Sequence, residues 1–236
     1  MFVDEILLAT RDEEIDYFNS GEHTTDMPLG YVSARPFGIF PRLGIEKLSL
    51  GRITLFCGSS ITPIDYLLRV VASLLGASDC LENDDARYVS EYKRFCITRH
   101  RSQRRAECVF VGKDQITQEM NKIRKSRDYK NMISMEELYD DRINGEAIYV
   151  IEMPECGMSV EECASVADLI YDTSKHTGAQ FIISTNSPIF MGIKGALIYD
   201  FDRRPLVPQP YYRSSVRKSF TRINEQICAS HTRKKD

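Results

Sequence analysis

Residues 53–76, ITLFCGSSITPIDYLLRVVASLLG, decide how the rest of the chain is read. From Ile53 to Cys57 the residues are β-branched, aromatic and apolar, as a strand covered on both faces requires. A glycine–serine turn follows. Beyond it Ile64, Leu67, Leu68, Val71, Leu74 and Leu75 recur at helical spacing and make one apolar stripe. Pro63 falls where a first-turn proline is tolerated, because that N–H would lack a helical partner anyway. Strand, tight turn and helix give the outline of a phosphate-binding loop, yet no lysine stands in it.

Composition bounds what such a segment can belong to. The 236 residues are 42% hydrophobic and 28% charged, with a net charge of -3, as in an ordinary globular protein. That balance argues against a nucleic-acid coat. No run approaches the roughly 20 apolar residues of a membrane helix. The N-terminal stretch MFVDEILLATRDEEID is acidic, unlike a secretory signal. Seven cysteines without any C-x-x-C pair point to reduced thiols in a cytoplasm and away from zinc.

Outward from the loop, residues 31–50 carry Pro36, Gly38, Pro41 and Gly44, which suit edge strands and bends. The stretch 77–145 is more polar. It holds an acidic cluster (Asp79, Glu82, Asp84, Asp85), the basic run KRFCITRHRSQRR at 93–105, and the strand ECVFVG. Helices are predicted over ITQEMNKIRK and SMEELYDDRI. From 146 the strands AIYVIE, QFIIST and ALIYDFD alternate with a helix over 159–176 and a turn at NSP. Strands separated by helices predict an α/β fold: a mostly parallel sheet with flanking helices and an antiparallel N-terminal strand region. The expected organisation is one domain over 1–202, with a polar helical or hairpin insertion at about 77–145, and a basic extension over 203–236.

Three stretches together carry a resemblance. ITLFCGSSITPIDYLL, SMEELYDDRINGEAIYVIEMPECGMS and AQFIISTNSP follow the order and spacing of the predicted ATPases of the ABC/SMC-like branch of P-loop NTPases, over roughly residues 28–202. In that family the first stretch is the phosphate loop. The second holds a serine-glycine-glutamate signature and then an aspartate-glutamate-proline-glutamate run, and the third ends a strand with a switch histidine. The resemblance implies a P-loop NTPase-like fold.

It also implies where the chemistry has changed. Gly58, Ser59, Ser60 and Thr62 keep the loop's small residues, but Ile64 takes the lysine slot and Asp65 the magnesium-hydroxyl slot. Losing the lysine removes a charge-assisted contact of about 1.5–3 kcal/mol, and a carboxylate beside a triphosphate repels it unless a cation intervenes. Glu152 stands for the metal-holding aspartate and Met153 for the water-activating glutamate; a thioether cannot take that proton. Asn186 replaces the switch histidine. Ser134 and Glu137 persist in the signature, with Glu136 in its glycine slot, and Glu155 keeps its place.

The changes predict no catalytic residue, no metal and no cofactor. The expected role is a pseudo-ATPase: a binding, scaffolding or regulatory subunit beside an active ATPase, an effector or a second copy, in a bacterial defence-type setting that the resemblance alone supplies. Two alternatives stand. In one, ATP and magnesium still bind, with Glu152 and Asp65 holding the metal and a partner supplying the missing cation. In the other, Arg99, Arg101, Arg104 and Arg105 contact nucleic acid, against the plain reading of a solvated hairpin. Each loop residue also has a plain reading, in which GSS and NSP are turns and Glu152 and Glu155 hydrogen-bond neighbouring loops. Gly112-Lys113 after a strand resembles a displaced phosphate loop only weakly, since the upstream glycine is absent and Asp114 follows.

Overall fold

The computed structural model describes residues 1–21, 36–78, 80–81, 83–101, 106–125 and 133–232. In chain order the elements are β1 (Val3–Leu7), α1 (Arg11–Ser20), β2 (Lys47–Ser49), β3 (Ile53–Cys57), α2 (Ile64–Leu74), α3 (Asn83–Tyr92), β4 (Ile97–His100) and β5 (Cys108–Val111). There follow α4 (Lys113–Lys125), α5 (Met135–Arg142), β6 (Ile148–Glu152), α6 (Val160–His176), β7 (Gln180–Ser184), α7 (Pro188–Met191), β8 (Leu197–Asp200) and α8 (Ser215–Thr232).

Among the described residues the strands form two sheets. A parallel five-stranded sheet runs β5-β6-β7-β3-β8, and an antiparallel three-stranded sheet runs β2-β1-β4. The architecture is therefore α/β, with the parallel sheet and antiparallel N-terminal region that the sequence predicts. β7 pairs with β3 on one side and with β6 on the other. That order places the strand leading to Asn186 between the loop strand and the strand ending at Glu152.

Every residue of β3, β6 and β7 is buried, which explains their near-continuous apolar sequences. Pleating sends alternate residues to opposite faces. On one face Phe56, Val150 and Ile182 join α2 and the antiparallel sheet; on the other Leu55, Tyr149, Phe181 and Ile183 meet α5 and α6. β4 and β5 belong to different sheets rather than to one hairpin. β4 pairs with β1, where Glu5 bridges Lys47 and, at 2.8 Å, Arg99.

The two sheets are tied by a buried amide. Gln180 Oε1 accepts from Phe2 N (3.0 Å) and Val3 N (2.9 Å), while its Nε2 donates to Val3 O (2.7 Å) and Gly51 O (3.0 Å). Among the described residues no helix is long and apolar enough to cross a membrane.

Candidate functional site

All five parallel strands end at one edge, the side where open α/β sheets place their ligands. The segments leaving Cys57, Val111, Glu152, Ser184 and Asp200 meet there. A cavity of about 280 Å³ lies among them, lined by Gly58, Ser59, Thr62, Asp65, Met153 and Asn186 and their neighbours.

The turn after β3 is closed by the chain's own side chains. Gly58 N donates to Asn186 Oδ1 (3.2 Å), and Asn186 Nδ2 donates back to Gly58 O (3.0 Å). Ser59 N donates to both carboxylate oxygens of Asp202 (3.0 and 2.9 Å), and Ser59 Oγ donates to the first of them at 2.7 Å. Thr62 turns back on Ser59 O through its N–H and its hydroxyl. A carboxylate of this chain therefore holds the Ser59 N–H. Gly58 has a packing reason to be glycine: a Cβ there would lie 2.9 Å from Thr62 Oγ1 and 3.2 Å from Phe201 Cβ. Ile64, in the lysine slot, is a core residue packed with Leu67 and Leu68. Ser60 and Ile61 form the exposed tip, with Ile61 91% accessible.

Positive charge does reach the loop, from other elements. Lys113 Nζ, at the start of α4, lies 2.8 Å from Asp65 Oδ2 and 3.7 Å from Glu152 Oε1. Arg69, one helical turn beyond Asp65, grips Glu152 with Nη2 at 3.1 and 2.9 Å and with Nε at 3.3 Å. Glu152 has no exposed side-chain surface, so this pairing is what lets its charge stay buried. The hydrogen bond to Asp65 raises the Lys113 pKa, outweighing burial, which acts to lower it. For Arg69 burial again lowers, but Glu152's hydrogen bonds and charge outweigh it and the pKa rises. Both cations stay charged and stay paired.

The remaining expected positions fall into place as plain structure. Glu155 accepts from Thr185 Oγ1 and Asn186 N, both at 2.8 Å, and so fixes the turn after β7. Met153 has φ +46°, a left-handed backbone that costs a non-glycine residue roughly 1–2 kcal/mol; its N–H donates to Ser184 O at 2.9 Å. Ser134 and Glu137 form a reciprocal capping box at the start of α5 (2.7 and 3.1 Å), and Glu136 is exposed beside them. Of the basic run, Arg99 is engaged by Glu5 and Arg101 is exposed, while Arg104 and Arg105 lie outside the described residues.

Magnesium and a triphosphate would require free amides, a free lysine and a hydroxyl or carboxylate facing the metal. Here the Gly58 and Ser59 amides, Lys113, Arg69, Asp65 and Glu152 all hold partners within the chain. As arranged, the residues do not fit that group. Sequence reasoning missed three members of this arrangement. Arg69 sits four residues from Asp65, a spacing that puts both on one helix face. Lys113 left a trace as the glycine–lysine pair after β5. Asp202 left none, because its contact spans 143 residues.

Fold and site together define an α/β protein whose loop edge is organised by internal hydrogen bonds and ion pairs. Among solved structures it is similar to the SMC head domain from Thermotoga maritima, at 13% identity and a TM-score of 0.40, over 65% of this chain and 88% of that one. No protein-family model matches the chain, and no curated protein matches it.

Proposed function

We propose that this chain is a catalytically degenerate ATPase-like protein that acts by binding, as a scaffolding or regulatory subunit of a protein complex. One observation carries the reading: the Asp202 carboxylate holds the Ser59 N–H and hydroxyl. An internal anion then does for the loop what a phosphate would do in a nucleotide-bound one. The pairing of Lys113 and Arg69 with Asp65 and Glu152 supports it, since spending either cation on a phosphate would leave a carboxylate uncompensated, one of them buried. Met153, where a water-activating base would stand, has no group to accept a proton.

On this reading the protein needs neither ATP nor magnesium, works in the cytoplasm, and meets a protein partner, an active ATPase or effector subunit being the class the loop frame suits. The test is calorimetric titration of the full chain with magnesium-ATP, alongside Asp202→Ala. The expected result is no saturable heat for the natural chain. Saturable binding by the natural chain, lost when Lys113 is changed to alanine, would favour the ATP-binding alternative instead.

A further inference from the structure

The C-terminal helix has a fixed root and an uncovered shaft. Asp200, buried at the end of β8, accepts from Ser215 N at 2.7 Å, and Ser214 Oγ caps the helix by accepting from Arg217 N at 3.2 Å. Val216 packs on the core. From residue 217 to 230 every position is exposed. Yet Phe220, Ile223 and Ile227, between 46% and 53% accessible, continue the Val216 stripe at spacings of four, three and four. Fourteen residues of helix extend about 21 Å, and an isolated helix of that length is marginal in water. A protruding apolar stripe of this kind marks an interaction surface.

The same chain carries a groove of suitable chemistry. Between α6 and α7 lies a cavity of about 310 Å³, with Ala164, Ala167, Tyr171, Ile189 and Ile193 lining it, Asp168 on its α6 side and Lys194 beyond α7. Exposed Glu161 and Asp172 add negative charge along α6, and exposed Lys175 ends that run in its last turn. The exposure of 217–230 means that α8 does not lie in its own groove. Charge decides the occupant: nine of the 31 Lys and Arg but only two of the 34 Asp and Glu lie after residue 202. The body is therefore acidic and the extension basic. Arg217 borders the stripe, and Lys218 and Arg222 follow on the adjoining faces. A second copy of the chain supplies both halves of the match.

We propose that α8 docks its Phe220–Ile223–Ile227 stripe into the α6–α7 groove of a second copy, the two copies exchanging helices reciprocally. The inference holds whether or not the loop at Gly58 takes a nucleotide, so the ATP titration and this proposal fail independently. Sedimentation velocity and light scattering on the full chain test it. The natural chain should show a species of twice the 27.1 kDa chain mass. Ile223→Glu with Ile227→Glu, on the exposed shaft, should raise the dimer dissociation constant at least about tenfold, with a thermal melt unchanged at concentrations low enough that both chains are monomeric. Asp168→Lys should weaken the dimer, and Arg217→Glu should restore part of the loss in the Asp168→Lys background. A natural chain that stays at monomer mass overturns the proposal. So does a dimer indifferent to the α8 changes, or one that loses affinity with them but ignores Asp168→Lys.

Discussion

At the residue scale, the loop edge is governed by who already holds each polar group. Gly58 is retained although no phosphate is needed to explain it, because Thr62 and Phe201 leave no room for a methyl group. Gly58→Ala should therefore cost about 1–3 kcal/mol in denaturant-melt stability, the usual range for overpacking. Arg69 and Glu152 pose a different problem. Breaking a buried pair by removing one partner costs about 3–5 kcal/mol, and the partial exposure of Arg69 discounts that figure. Arg69→Met should lose about 2–3 kcal/mol, while Arg69→Met with Glu152→Met should lose clearly less, because the orphaned carboxylate is gone. Urea melts of the two variants check this; a double variant as damaged as the single one would show that packing, not charge, sets the cost.

At the scale of elements, the apolar strands and their alternation with helices were legible because burial on both faces leaves an unbroken hydrophobic run in sequence. The positions of Gly58, Glu152 and Asn186 at strand ends were legible for the same reason. Their contacts were not. Asn186 reaches Gly58 across 128 residues and Lys113 reaches Asp65 across 48, so no local spacing encodes either. The partnership of β4 with β1 escaped likewise, since four residues of mixed exposure next to arginines read equally well as a solvated hairpin. Gln180, at the first position of β7, shows how a single polar residue can organise two elements. Its amide satisfies two N–H groups and two carbonyls between β1, the start of β3 and β7. Gln180→Leu leaves those groups buried without partners, and should cost about 2–4 kcal/mol, at roughly 1–3 for each unsatisfied group after relaxation. Hydrogen exchange should show the loss first as faster exchange in β1.

For the whole molecule, stability should have limits on both sides of neutrality. Lys47 and Arg99 hold the Glu5 carboxyl below its usual range, with burial opposing them. A carboxylate with a lowered folded pKa adds stability that is present above its unfolded value, about 4.3, and lost as pH falls through the folded one. Glu5→Gln should flatten that acid limb. On the alkaline side burial pushes the Cys57 thiol far up and holds Cys96 and Cys108 at about 12. The unfolded chain releases those protons from about pH 8.5 while the folded chain keeps them, so the melting temperature should fall above that pH. Lys113, with a raised pKa, adds to the decline only as pH passes its folded value.

The most direct measurement is calorimetric titration of the natural chain with millimolar magnesium-ATP, followed by thermal melts at the same concentrations. A loop whose first amides are held by Asn186 and Asp202 should give no saturable heat and a stabilisation well under about 1 kcal/mol. A saturable isotherm with a stabilisation near 2.7 kcal/mol, as expected at a hundred times the dissociation constant, would contradict that loop.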